Sequence, residues 1–252
     1  MPRIITDNNT LYSQYDTLQA GDIIAVRMRL KVGEEHLLLD LEQRGIKIIP
    51  SATAQLASRS KAYQARIFSQ YMPPCTTVIY SANDLLTTIL QYQQEAIGQV
   101  VLKQDRKNGG LGIHLFSSIE EVFNLTISNS QIYPFVLQPY LPECRDIRAI
   151  FLGDYMEAYE RDNPNSFRNN LHCGGLARPH ALSPQQKSFC QSVMTRGSFP
   201  YAHIDLIIDK QGKHWLSEIN LRGGLRGAQI KGAAYQKTVS SIHQHLITTQ
   251  QT

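Results

Sequence analysis

His203-Ile204-Asp205-Leu206-Ile207-Ile208 and Lys213-His214-Trp215-Leu216-Ser217-Glu218-Ile219-Asn220, separated by Asp209-Lys210-Gln211-Gly212, form the stretch that decides the fold. The two runs read as strands of a hairpin turning at the polar, glycine-containing break. Glu218 and Asn220 are two positions apart on one strand, so their side chains leave the same face. Asp205 sits on the preceding strand, where a cross-strand approach brings a third oxygen near them. Two carboxylates and an amide oxygen suit magnesium, which prefers hard ligands and keeps waters while holding nucleotide phosphates. Taken alone, the same residues could equally be the solvated end of a strand.

Two other segments carry chemistry. Gln99 to Lys103 reads as a strand, followed by Asn108-Gly109-Gly110-Leu111-Gly112 and a returning strand from Ile113 to Phe116. Lys103 thus places a cation beside a turn of little side-chain bulk, in which Gly110 and Gly112 let the backbone close over phosphates. A dinucleotide fingerprint is excluded, because it needs a helix after the glycines and this pattern continues extended. Further on, Phe167-Arg168-Asn169-Asn170-Leu171-His172-Cys173-Gly174-Gly175 is a polar run whose guanidinium suits bidentate binding of a phosphate or oxyanion. By composition alone it could also be a loop that faces water.

The remaining chain alternates strands and helices. Residues 21–27 and 46–49 read as strands on either side of a helix over 34–44, stopped at Gly45. Residues 51–71 read as a helix broken near 58–60, and Pro73-Pro74 cannot continue it. Thr76 to Tyr80 is strand-like, Ser81 caps a helix to about Ala96, and strands follow at 135–138, 147–152 and 155–161. Ser183 caps and Pro184 opens a helix to Thr195, and a last helix spans about 233–246, beyond which the Gln-Thr tail is expected to fray.

Composition narrows the function. At 252 residues, 42% hydrophobic and 18% charged, the chain can bury a core for one large domain or several small lobes. A net charge of +4 with scattered basic residues lacks the dense stripe of a nucleic-acid binder, although Lys103-Gln104-Asp105-Arg106-Lys107 is a local exception. Cys75, Cys144, Cys173 and Cys190 are widely spaced, as expected of free thiols. With a polar start and no run approaching eighteen apolar residues, a cytoplasmic protein without membrane contact is expected.

Read together, these pieces resemble the ATP-grasp superfamily, and most closely its RimK-like glutamate and amino-acid ligases, over roughly residues 60–232. The resemblance implies an α/β (α+β) chain with two lobes clasping ATP: a shortened preceding lobe (1–55), a small lobe with the glycine loop (56–136) and a C-terminal lobe with the metal site (137–252). It places Lys61 and Lys103 on the nucleotide phosphates. Leu137-Gln138-Pro139-Tyr140-Leu141 is similar to the hinge that reads adenine, though Pro139 lacks a backbone donor. Asp146-Ile147-Arg148 matches a strand motif in which Asp146 contacts the ribose or nucleotide. Arg168, Asn169 and Asn170 face phosphates and the reacting acyl group. Asp205, Glu218 and Asn220 match the metal strands, with Mg2+, or alternatively Mn2+, as the ion. Where the family expects a small residue, proline and glycine after Asn220, the chain has Leu221-Arg222-Gly223-Gly224-Leu225-Arg226-Gly227, so Arg222 and Arg226, with Arg161, are candidate substrate contacts. The activity implied is an ADP-forming carboxylate–amine ligase working through an acyl phosphate on an amino acid or peptide, with a homodimer as the assembly common in similar proteins. A regulatory module that only binds ATP, and a kinase on the same fold, are the alternatives.

Overall fold

Three sheets organise the chain in sequence order. The computed structural model describes residues 2–107, 109–127 and 132–251, so Asn108 of the glycine turn lies outside the described residues. The first sheet is parallel, ordered β1 (Ile4–Ile5), β2 (Ile23–Ile24), β3 (Lys47–Ile48). Helix α1 (Asn8–Gln14) connects β1 to β2 and α2 (His36–Gln43) connects β2 to β3. Periodicity does not reveal β1, whose two residues carry no alternation, or α1, whose seven residues bury only Leu11. Their one sequence signal is Asp7, whose side chain accepts the Thr10 N–H as an N-cap.

Helices α3 (Ala52–Ala57) and α4 (Lys61–Ile67) are separate, each capped by a serine: Ser51 accepts from Ala54 N and Ser60 from Tyr63 N. The expected break near 58–60 is thus the restart of a helix at a new cap. Ala54, Ala57, Ala62 and Ala65, with Phe68 and Met72, join the apolar core of the third sheet.

The second sheet is antiparallel in the order β4 (Thr77–Ile79), β7 (Phe135–Pro139), β5 (Val100–Gln104), β6 (Ile113–Phe116). Helix α5 (Ala82–Gln94) and helix α6 (Ile119–Thr126), the latter unread in the sequence, cover it with Leu85, Tyr92 and Val122 fully buried. Each such side chain contributes about 1.5–3 kcal/mol by leaving water.

The third sheet carries most of the chemistry. It is antiparallel in the order β10 (Leu176–Pro179), β9 (Tyr155–Asp162), β8 (Arg145–Leu152), β11 (Tyr201–Ile208), β12 (His214–Asn220). Helix α7 (Pro184–Arg196) starts on a full capping box between Ser183 and Gln186. Helix α8 (Gly232–Gln251) does not fray after Ile247. Ile247 is buried against Ile23, Ala25 and Ile49 of the first sheet region, so tertiary packing holds the last turn that composition alone would release. Among the described residues no helix is long and apolar enough to cross a membrane.

Candidate active site

A cleft of about 640 Å³ opens between the second and third sheets. Its floor is the β11–β12 hairpin, with Asp205 opposite Glu218 and His203 opposite Asn220. The register slips between Asp205 and Leu206, which pairs with Leu216, so Ser217 is the extra residue of a bulge. That bulge serves Lys103 of β5, whose ammonium donates to the Ser217 carbonyl (3.3 Å) and hydroxyl (3.2 Å). Lys61, at the start of α4, lies 3.3 Å from Glu218 and donates to the Lys107 carbonyl (2.5 Å). β12 is an edge strand, and buried Gln64 completes it from α4: its amide accepts from Ile219 N (2.9 Å) and donates to Ile219 O (2.9 Å). This reciprocal pair fixes the backbone between Glu218 and Asn220.

Asp205 is the most heavily paired of the oxygen groups. Arg148 grips it in a fork, both contacts at 2.7 Å, and Arg161 reaches it at 2.9 Å while also donating to Asp146 at 2.8 and 2.5 Å. Burial works against the Asp205 charge, but Arg148 and Arg161 outweigh it and hold the carboxyl well below the usual range. Burial pushes the Asp146 carboxyl up, partly offset by Arg161. Glu218 and Asn220 therefore present the freer oxygens. Among the described residues no three His, Cys, Asp or Glu side chains form a metal site by themselves. Glu218, the Asn220 amide and a residual lone pair of Asp205 together fit a hard ion that keeps waters and shares phosphates.

The loop after β9 faces this floor. Buried Asn163 ties it by donating to Arg168 O (2.9 Å) and Cys173 O (3.0 Å). The Arg168 guanidinium lies 4.3 Å from the Phe167 ring centre and donates through Nε (3.1 Å) and Nη2 to the Ile113 carbonyl of β6. Asn170 presses on Gly110: a Cβ there would sit 2.6 Å from the Asn170 amide nitrogen, and Gly110 already has a φ of +79°. At the hinge, Pro139 has no N–H and Tyr140 N donates to Gln99 O (2.9 Å), so neither residue has a free backbone donor there. Gln138 lines the cleft while its amide holds Thr76 (3.1 Å).

A profile of the RimK-like ATP-grasp domain matches residues 54–242. A protein of Xanthomonas campestris pv. campestris (strain 8004), described as a probable alpha-L-glutamate ligase, is 31% identical over 97% of this chain and 85% of its own length. The chain belongs to the RimK-like ATP-grasp family. The crystal structure of D-cycloserine synthetase DcsG superposes with a TM-score of 0.64 at 12% identity, covering 98% of this chain and 100% of the other. A Chryseobacterium gregarium RiPP-associated ATP-grasp ligase, solved with ADP and leader and core peptides, gives 0.58 at 16% identity over 90% and 76%. The enzyme class expected from the sequence, an ATP-dependent ligase, is that of the family, which in general binds ATP and Mg2+.

In this RimK-like chain the cleft is lined by Lys61, Lys103, Gly110, the hinge residues 138–140, Asp146, Arg168, Asn169, Asn170, Asp205, Glu218, Asn220, Arg222 and Arg226. One expected residue lies outside this lining. Gly112 does not line the cleft; a Cβ there would lie 2.6 Å from Lys107 Cβ, so this glycine lets the hairpin close on itself. Arg161 lines the cleft as well, 4% exposed and with its guanidinium paired to Asp146 and Asp205. It organises the floor. Sequence reading also missed Gln64, Asn163, Ser217 and Arg27; of these only Asn163, beside Pro164 in a turn, carried any local signal.

Two outcomes follow from this geometry. Burial pushes the Lys103 ammonium down to about 8, with Glu218 opposing the shift. The charged form that attracts phosphates is thus complete below that pH and lost above it. ATP affinity measured by calorimetry should fall by up to about tenfold per pH unit above 8, and Lys103→Met should bind weakly with that limb absent. The second concerns Gly223, where a Cβ would stand 2.5 Å from His203 Nδ1. His203 is 1% exposed and bonded through Nε2 to Tyr235 (3.1 Å), whose hydroxyl donates to Leu221 O (3.3 Å), so the ring has nowhere to move. Gly223→Ala should cost about 1–3 kcal/mol in thermal unfolding, with the Arg222 loop displaced.

Proposed function

We propose that this protein joins a carboxylic acid to an amine, on an amino acid or peptide, with ATP cleaved to ADP and phosphate. The observation that carries the reading is the convergence in one cleft of Lys61 and Lys103, the oxygens of Glu218 and Asn220, and the Arg168–Asn170 loop. The lysines offset triphosphate charge. The acid's carboxylate oxygen attacks the terminal phosphorus, the bond to the ADP oxygen breaks, and an acyl phosphate results. The amine nitrogen then adds to the acyl carbon, loses a proton, and the tetrahedral intermediate expels phosphate as the amide forms. Magnesium, held by Glu218 and Asn220 with Asp205 behind them, would neutralise phosphate oxygens. Arg168 and Asn170 hold the acyl group and the developing oxyanion, so this chain contributes position and fixed charge rather than a covalent nucleophile.

The name of the Xanthomonas relative supports glutamate as one of the two partners. We read residues 1–55 as the lobe that helps hold substrate, 56–136 as the lobe closing over the nucleotide and 137–252 as the lobe bearing the metal site. The test is product formation: ADP and free phosphate should appear only when ATP, acid and amine are all present, with an amide as co-product. Transfer of phosphate to a substrate oxygen as the final product would replace the ligase with a kinase, and ATP binding without turnover on any acid and amine pair would leave a regulatory module.

A further inference from the structure

Three cations of the cleft are paired with carboxylates: Arg148 and Arg161 hold Asp205 and Asp146, and Lys61 faces Glu218. Arg27 is different. It follows β2, in a segment where no motif points to a site, and lines the same cleft as Arg222 and Arg226. Among the described residues none of these three guanidinium groups has a carboxylate partner. Arg27 and Arg222 line the same cleft, and the Arg27 pKa is lowered, by burial first and then by the Arg222 charge. Arg59 adds a further positive charge nearby, tied only to the carbonyls of Leu30 (3.2 Å) and Met28.

Like charges that line a cavity without counter-charge raise each other's energy, and a bound anion relieves this most effectively where forked guanidinium donors can grip two oxygens. Resting on the ligase reading, which already assigns Lys61, Lys103 and Arg168 to the nucleotide and the reacting acyl group, we infer that Arg27 and Arg222 form an anion subsite for a second charged group of the acid substrate. That group is a carboxylate or a phosphate which takes no part in the reaction. Arg27 is then a specificity-determining residue contributed by the first sheet region to a cleft built by the other two, and Arg226 adds field from the same loop as Arg222.

Calorimetric titration of the full chain, saturated with ADP and magnesium, tests this with three probes: glutarate, phosphonobutyrate and butyrate. The native protein should bind one of the two dianions at least about tenfold more tightly than butyrate, the discrimination expected of one charged hydrogen-bonded contact. Arg27→Gln and Arg222→Gln should each remove most of that preference, and Arg27→Lys should keep part of it. The tighter dianion names the group. Equal binding of butyrate, no binding of either dianion, or a preference untouched by both glutamine substitutions overturns the subsite. Acid-dependent ADP release, followed separately, tells the two readings apart. Turnover without dianion preference removes the subsite alone, whereas dianion preference without turnover removes the ligase and leaves the subsite.

Discussion

Replacing Glu218 by alanine is expected to lower turnover by at least about a hundredfold, with magnesium-dependent ATP binding lost in parallel. The size follows from how charge is distributed on the floor of the cleft. Asp205 is already gripped by Arg148 and Arg161, so little of its charge is left for an ion. Asn220 contributes a dipole but no charge. Glu218 is the carboxylate whose contact is a single lysine at 3.3 Å, and Lys61 has triphosphate to turn to once nucleotide enters. Removing Glu218 also leaves Lys61 and Lys103 without their nearest negative neighbour, which raises basal attraction for nucleotide even as the metal is lost. The informative measurement is therefore calorimetry with and without magnesium: the variant should bind ATP with no dependence on the ion. Native-like magnesium dependence in Glu218→Ala would remove the metal assignment.

Arg168→Ala is expected to be nearly as damaging, by about a hundredfold to a thousandfold in kcat, the usual consequence of losing one well-aimed donor to developing negative charge. In the present geometry its Nε and Nη2 donate to the Ile113 carbonyl and its plane lies beside Phe167, so the group is held in place before any substrate arrives. Asn163 sets the loop that carries it, through bonds to the carbonyls of Arg168 and Cys173. The same substitution releases β6 from the loop, so a structural loss and a chemical loss must be separated. Arg168→Lys does this: it keeps a charge and can still reach a carbonyl, but it lacks the planar fork. A lysine variant with native melting temperature and a kcat as low as alanine's supports the oxyanion role. Near-native kcat in both variants would leave Arg168 as a strut between β6 and the loop.

Much of this site was legible because the relevant signals are local. Alternation along Leu216 to Asn220 puts Glu218 and Asn220 on one face whatever surrounds them, and Asp209 to Gly212 fixes the hairpin that brings Asp205 alongside. The glycines after Lys103 announced a hairpin, and the serines at 81 and 183 announced helix starts. Short elements escaped, since the two-residue β1 and the four-residue, fully exposed β10 have neither length nor burial to imprint a pattern.

By itself, then, the sequence determined the hairpins, the faces on which Glu218, Asn220 and Lys103 emerge, and the family to which their order belongs. Only the tertiary structure decided which charges remain free. Arg148 and Asp205 are 57 residues apart, Gln64 and Ile219 are 155 apart, and Arg27 and Arg222 line one cleft. Charge pairing and backbone completion depend on distance in space and on exclusion of water, and neither is set by spacing along the chain. For that reason Gly112, plausible as a ligand contact when read in order, became an internal support of its hairpin, Arg161 lines the cleft already paired to Asp146 and Asp205, and Arg27, silent in sequence, came to line the same cleft.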